Sequence, residues 1–356
     1  MIHGGDIVTY RQRSGRRAED ILDCSANINP LGVPASVTEA LRAALPAVGH
    51  YPDPQQRETK AILAARFGVA PETILCANGA AEAIDLLTRS IRPKRCLILD
   101  PAFAEYEMAA LRNACPLVRI PMVVDPGRGD FPWGSIDAMA REGDLLWINN
   151  PHNPLGIGQP FGVWSSHLTE LMERGVQVVV DESFLDFLSH DSSWTAMHHV
   201  AGMAHLSVIR SATKVFAMPG VRFGFAIVAP SLAEAIERTR DPWSVNSLAQ
   251  AAAVAAYQDT GYLEQTHRWL EQELDFVTGT WGRTGLLCGD TPVTPYLLAR
   301  FPDHEVAQRA TRVLEGEGIF IRDCTSFRGL DGAHRRIALK RREDNERVWR
   351  LVESAL

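Results

Sequence analysis

Short apolar runs alternate with longer mixed stretches through the middle of the chain. Positions 96–100, 145–149, 176–181, 206–211 and 223–228 are largely apolar and end in polar or turn residues. That is the pattern of strands buried on both faces. Between them, 80–91, 105–114, 164–174 and 231–238 read as helices. Strands alternating with helices predict an α/β fold on a mainly parallel sheet. The ends read differently. A proline at the start of 34–45 suits the first turn of a helix. After position 245 a helix-rich stretch runs to 281, alanine-dense around 249–256. Then 296–301 reads as a strand, 304–317 as a helix, 319–322 and 336–339 as strands, and 343–356 as a terminal helix. We therefore expect a large domain over 46–245 and a small α+β domain assembled from 1–45 and 246–356.

Composition narrows the function classes. The 356 residues are 46% apolar and 22% charged, enough to bury a core without cross-links. The net charge of −7 leaves no general nucleic-acid footprint, although a few local arginines suffice for a small anion. No run approaches the roughly 18 apolar residues of a membrane-spanning helix. Residues 1–17 lack the apolar centre of a signal peptide, so no membrane partner and a cytoplasmic location are expected. The six cysteines (24, 76, 96, 115, 288 and 324) form no Cys-x-x-Cys pair. Neither a zinc ribbon nor another metal site is expected, and in a reducing compartment the thiols should be free.

In an open parallel sheet, ligands bind beyond the carboxyl ends of the strands. Asp181 follows three valines, and a carboxylate there is costly unless it meets a cation. The alternative is a helix cap or a loop ion pair. Ser211, Thr213, Lys214 and Arg222 fall within a dozen residues after another strand. A desolvated lysine near other cations has a lowered pKa and can form a Schiff base, and an arginine can hold a phosphate. A solvated basic turn is the alternative. Asn149 to Gly156 carries two Asn-Pro steps, a rigid turn that either is structural only or aims an asparagine amide at a ligand. Gly79, Ala80 and Ala81 open a helix with small residues that admit an anion to backbone amides.

Taken in order, these segments resemble the fold-type I pyridoxal-5′-phosphate enzymes of the aspartate aminotransferase superfamily. The resemblance covers nearly the whole chain and rests on Asn153-Pro154-x-Gly156, Asp181 and the block from Ser211 to Arg222. Within the superfamily the chain looks like the branch holding histidinol-phosphate aminotransferase and L-threonine-O-3-phosphate decarboxylase. The start His3-Gly4-Gly5-Asp6-Ile7, the segment Ser25 to Gly32, Thr213, Met218-Pro219-Gly220 and Asp323 to Leu330 are closer to the decarboxylase family.

The resemblance implies pyridoxal 5′-phosphate as cofactor. Lys214 would carry it as a Schiff base, Asp181 would pair with the pyridine nitrogen, and Asn153 would bond the phenolic oxygen. Phe103 would stack on the ring. Gly79, Ala80, Ala81, Ser211, Thr213 and Arg222 would hold the phosphate, with Tyr51 reaching it in the neighbouring subunit of a homodimer. Phe103 and Phe184 stand where many aminotransferases have tyrosine. On the substrate side the resemblance implies Arg322 and Arg336 for the carboxylate, with Asn153 and Gly32 nearby. His3, Asn29 and Lys340 are candidates for a substrate phosphate. The implied reaction is decarboxylation of L-threonine O-3-phosphate to (R)-1-amino-2-propanol O-2-phosphate, the linker of the cobalamin nucleotide loop. Transamination of histidinol phosphate and decarboxylation of serine phosphate are the alternatives; a methyl group is worth only about 1–3 kcal/mol of discrimination.

Overall fold

The computed structural model describes residues 4–122, 130–189, 191–289 and 292–356. Among the described residues, eleven strands form two sheets. They are β1 (Leu22–Cys24), β2 (Ile74–Ala77), β3 (Arg95–Asp100), β4 (Leu117–Pro121), β5 (Asp144–Asn149), β6 (Gln177–Asp181), β7 (Leu206–Ser211), β8 (Gly224–Ile227), β9 (Tyr296–Arg300), β10 (Ile319–Asp323) and β11 (His334–Ala338). The larger sheet has the order β2-β8-β7-β6-β5-β3-β4. Its strands run parallel except β8, which is antiparallel to both neighbours.

Side chains alternate across a strand, and β6 shows the consequence. Val178 and Val180 join the core on one face, with Phe161, Trp164 and Leu168 of the helix Phe161–Glu173. Val179 points to the other face, where the helices Ala80–Ile91 and Ala104–Arg112 pack. With both faces covered, the polar ends of the strands are the places left for a ligand.

Register gathers those ends. Asn149 on β5 is paired with Asp181 on β6, and Ser211 on β7 with Gly224 on β8. Because β8 runs backwards, its first residue lies at this edge and brings Arg222, two positions earlier, with it. Gly224 also sits against the end of β2. A Cβ there would lie 2.6 Å from the Ala80 nitrogen and 3.0 Å from the Arg210 carbonyl oxygen.

The smaller sheet has the order β1-β10-β11-β9, so the N-terminal β1 pairs in parallel with β10 near the other end of the chain. β10 and β11 are antiparallel, and Arg322 faces Arg336 in register. The helices Ser247–Gln258 and Thr260–Thr280 occupy the helix-rich stretch read from the sequence. Several elements escape the periodicity, among them the helices Ile7–Ser14 and Trp133–Met139 and the short β1. β4 is a short edge strand interrupted by Arg119, and the helix Arg57–Phe67 buries only Thr59, Leu63 and Phe67. No helix among the described residues is long and apolar enough to cross a membrane.

Candidate active site

A cavity of about 480 Å³ lies between the strand ends of the large sheet and the smaller sheet. Phe103, Asn153, Phe184, Lys214, Arg322 and Arg336 are among the residues that line it. The volume falls within the usual range for a small-molecule site.

Lys214 lies in the short helix Ala212–Val215 that follows β7, where its ammonium donates to the Ser211 hydroxyl at 3.1 Å. Ser211 and Thr213 share a hydroxyl–hydroxyl bond of 2.8 Å. Burial lowers the Lys214 pKa to about 8, and the positive charges of Arg222 and Arg336 push the same way against Asp181. A larger neutral fraction makes the amine a better nucleophile. The shift also has a consequence for stability. Between about pH 8 and 10.5 the unfolded chain keeps a proton on Lys214 that the folded chain has released. Cofactor-free protein therefore gains stability as pH rises through that window. Thermal melts of wild type and Lys214→Ala across pH 7–11 check this: the wild-type curve should gain on the variant, and parallel curves would contradict it.

Next to Lys214 is a cradle built of backbone and cations. Gly79 has φ +83° and ψ 161°, a conformation open to glycine, and precedes the helix Ala80–Ile91, which has no side-chain cap. A Cβ on Gly79 would lie 2.3 Å from a terminal nitrogen of Arg222. Arg222 itself has φ +66°, a strained backbone for a side-chain-bearing residue, and donates to the Pro219 carbonyl. An uncapped helix N-terminus, a guanidinium against it and two hydroxyls make a site for a phosphate group.

Asp181 is 3% exposed. The Tyr106 hydroxyl donates to one of its oxygens at 2.7 Å and the Ser183 N–H to the other at 2.9 Å. Both donors are neutral. Tyr106 is stacked on Trp147, with ring centroids 4.9 Å apart. Sequence reasoning missed Tyr106, because a helical tyrosine gives no signal of the carboxylate it meets. Tyr106→Phe leaves a buried carboxylate oxygen short of a donor, a loss of about 1–3 kcal/mol. Denaturant unfolding should show that loss together with weaker pyridoxal-phosphate binding; unchanged binding would mean that the tyrosine does not position Asp181.

On the opposite wall, Arg336 is buried and donates to the Asn153 side-chain oxygen at 2.5 Å and to the Ser25 carbonyl at 2.8 Å. Its Nε has no hydrogen-bond partner among the described residues. Since Asn153 Oδ1 accepts from Arg336, Nδ2 is the atom left to donate to a ligand. The Asn149 side chain fixes this turn by accepting from the Asn153 backbone N–H, and the Asn150–Pro151 and Asn153–Pro154 bonds are cis. Arg322 donates to Ser326 at 2.7 Å and sits over Phe327. Burial lowers the pKa of both arginines.

Other sequence candidates fall elsewhere. Asn29 does not face the cavity. Its amide donates to the Val215 carbonyl and the Thr266 hydroxyl, and its oxygen caps Leu31. An asparagine before Pro-Leu-Gly is a turn former, and that is the work it does here. Asn27, two residues earlier, lines the cavity with a buried Oδ1 that has no partner. Gly32 is also off the cavity wall; its carbonyl accepts from Tyr262 at 2.6 Å, and its φ is +83°. Lys340 stands behind the wall, where its ammonium reaches the Ala26 carbonyl at 3.5 Å. His3 lies outside the described residues. Tyr51 is 80% exposed and stacks on the half-exposed Trp243, away from the cavity of its own chain.

Comparison with known proteins agrees with this geometry. Residues 19–352 match the model of the aminotransferase class I and II family, and the chain belongs to that family. It is 30% identical to a threonine-phosphate decarboxylase of Salmonella typhimurium over 355 residues, covering 99% of this chain and 96% of the relative. It is also 31% identical to histidinol-phosphate aminotransferase 2 of Ralstonia nicotianae, covering 100% and 94%. The crystal structure of L-threonine-O-3-phosphate decarboxylase from Porphyromonas gingivalis superposes with a TM-score of 0.79 at 25% identity, covering 94% of this chain and 99% of that one.

Proposed function

We propose that this protein is a pyridoxal-5′-phosphate-dependent decarboxylase of L-threonine O-3-phosphate, active as a cytoplasmic homodimer. The product is (R)-1-amino-2-propanol O-2-phosphate, the linker of the cobalamin nucleotide loop. The observation that carries the substrate class is the register pair Arg322–Arg336 on the cavity wall. Like charges directly opposite across a sheet are destabilising, and burying them adds cost. An anion between them offsets both, and the substrate brings a carboxylate and a phosphate.

The residues present fit the cofactor. The Gly79–Arg222 cradle with Ser211 and Thr213 would take its phosphate, and Asp181 its pyridine nitrogen. Lys214 would take its aldehyde and Asn153 its phenolic oxygen, and Phe103 would pack against its ring. When bound, the cofactor supplies an electron sink for the bond that breaks at the substrate Cα. Asp181 keeps the pyridine nitrogen protonated, and Tyr106 and Ser183 hold that carboxylate in place. Arg322 and Arg336 bind the substrate carboxylate and so decide that it, rather than the Cα hydrogen, is the group positioned to leave. The Lys214 amine is the group that returns a proton to Cα. Phe184 offers no hydroxyl, which leaves Asn153 as the main side-chain donor to the phenolic oxygen. Tyr51 and Trp243, both exposed and apolar, support a subunit contact that would bring Tyr51 to the partner's cofactor phosphate.

The resemblance to histidinol-phosphate aminotransferases at 31% identity favours one second reading, transamination of a phosphorylated amine. Supplying pyridoxal phosphate and each substrate in turn separates the two. Carbon dioxide from threonine phosphate supports the proposal; a keto product formed with glutamate as co-substrate supports the second reading.

A further inference from the structure

Two cysteines that do not line the catalytic cleft meet in the core. Cys96 is the second residue of β3 and Cys115 lies in the loop before β4; their sulfurs are 3.3 Å apart. Cys96 is two residues from Ile98, which lines the active-site cavity, so about 7 Å separates the two along the strand. The backbone fixes both partners. The Cys96 N–H donates to the Pro116 carbonyl and the Cys115 N–H to the Ala110 carbonyl, each at 2.8 Å. Ala114, just before Cys115, has φ +51°, a left-handed conformation that costs a non-glycine residue about 1–2 kcal/mol. That turn carries the chain from the helix Ala104–Arg112 into β4, beside β3.

The pair is reachable from one side. A surface cavity of about 330 Å³ has Cys115 in its wall, with Thr88, Arg89, Arg92, Pro93 and Asn113 around it. Cys96 is fully buried behind it. Cys115, in the cavity wall, is therefore the sulfur an incoming reagent meets first, and burial together with the hydrogen bond to Cys115 raises the Cys96 pKa. Arg89 and Arg92 are both exposed and favour an anionic reagent at the mouth.

We propose that Cys96 and Cys115 form a redox modification site, a dithiol that a small anionic disulfide of the glutathione type closes to an intramolecular disulfide. The Cys115 thiolate attacks one sulfur of the reagent and expels the first thiolate. The Cys96 thiolate, its proton passed to solvent, then attacks the Cys115 sulfur of the mixed disulfide and expels the second. Two protein thiols lose two electrons and two protons, and the reagent is reduced to two thiols. Bond formation requires the sulfurs to close from 3.3 Å to about 2.05 Å, a movement two side chains and one loop can supply. The surrounding Arg, Thr and Asn side chains give the expelled thiolate a polar exit. A dithiol reducing agent reverses the reaction.

The test uses the full chain, holoenzyme or cofactor-free, treated under native conditions with excess glutathione disulfide. It is then denatured, alkylated with N-ethylmaleimide, and read by intact mass and peptide mapping. The expected result is loss of two hydrogens and alkylation of four of the six cysteines, with one cross-linked peptide pair containing Cys96 and Cys115. Dithiothreitol should restore six alkylations. Cys96→Ser should instead retain one glutathione on Cys115. Six alkylations after treatment, a stable glutathione adduct in the wild type, or a cross-link through any other cysteine would overturn the proposal.

Discussion

Replacing Lys214 with alanine is expected to lower turnover by about four orders of magnitude or more. The amine is the cavity-lining group that can both hold the cofactor covalently and move a proton at the substrate Cα. Burial and two nearby arginines favour its neutral form. Neither the Ser211 hydroxyl, 3.1 Å away, nor a solvent molecule supplies the same nucleophile. Borohydride treatment of protein loaded with pyridoxal phosphate gives an independent readout: wild type should gain the mass of one cofactor on the peptide carrying Lys214, and the variant none. Retained turnover in Lys214→Ala would refute the role given to the lysine.

Arg336→Gln is expected to lower kcat/KM for threonine phosphate by about 100- to 1000-fold, the size of effect seen when one partner of a buried charged contact is removed. Two losses combine. The substrate carboxylate loses one of two guanidiniums, and Asn153 loses the donor that holds its side-chain oxygen. Glutamine keeps a shorter amide near the Ser25 carbonyl, so the fold should survive. Arg322→Gln should be milder, since Arg322 contacts Ser326 rather than the turn that carries Asn153. Steady-state kinetics on both variants checks the order; equal and small effects would place the substrate carboxylate elsewhere.

The large sheet was legible because its strands are buried on both faces and leave unbroken apolar runs, as in Val178-Val179-Val180. The same logic led to Asp181, Asn153 and Lys214, since each follows a strand end. Arg322 and Arg336 could be named from the resemblance, but their pairing is a matter of register between β10 and β11, which no local pattern carries. Asn29 and Asn27 illustrate the limit. Both sit in one short polar segment, and only the packing shows that Asn29 is spent on Val215 and Thr266 while Asn27 faces the cavity. Tyr106 was invisible for the same reason: its partner is 75 residues away. The net charge of −7 also takes on meaning, because in the proposed function anionic ligands would be met by cations concentrated at Lys214, Arg222, Arg322 and Arg336 rather than by a basic surface.

The central claim is that this cavity removes the carboxylate of a phosphorylated amino acid. Purified protein with pyridoxal phosphate and L-threonine O-3-phosphate labelled at the carboxyl carbon tests it most directly. The expected result is release of labelled carbon dioxide in equal amount to 1-amino-2-propanol phosphate, with no co-substrate required. Label retained in a keto acid, with amino-group transfer to an acceptor, would contradict it.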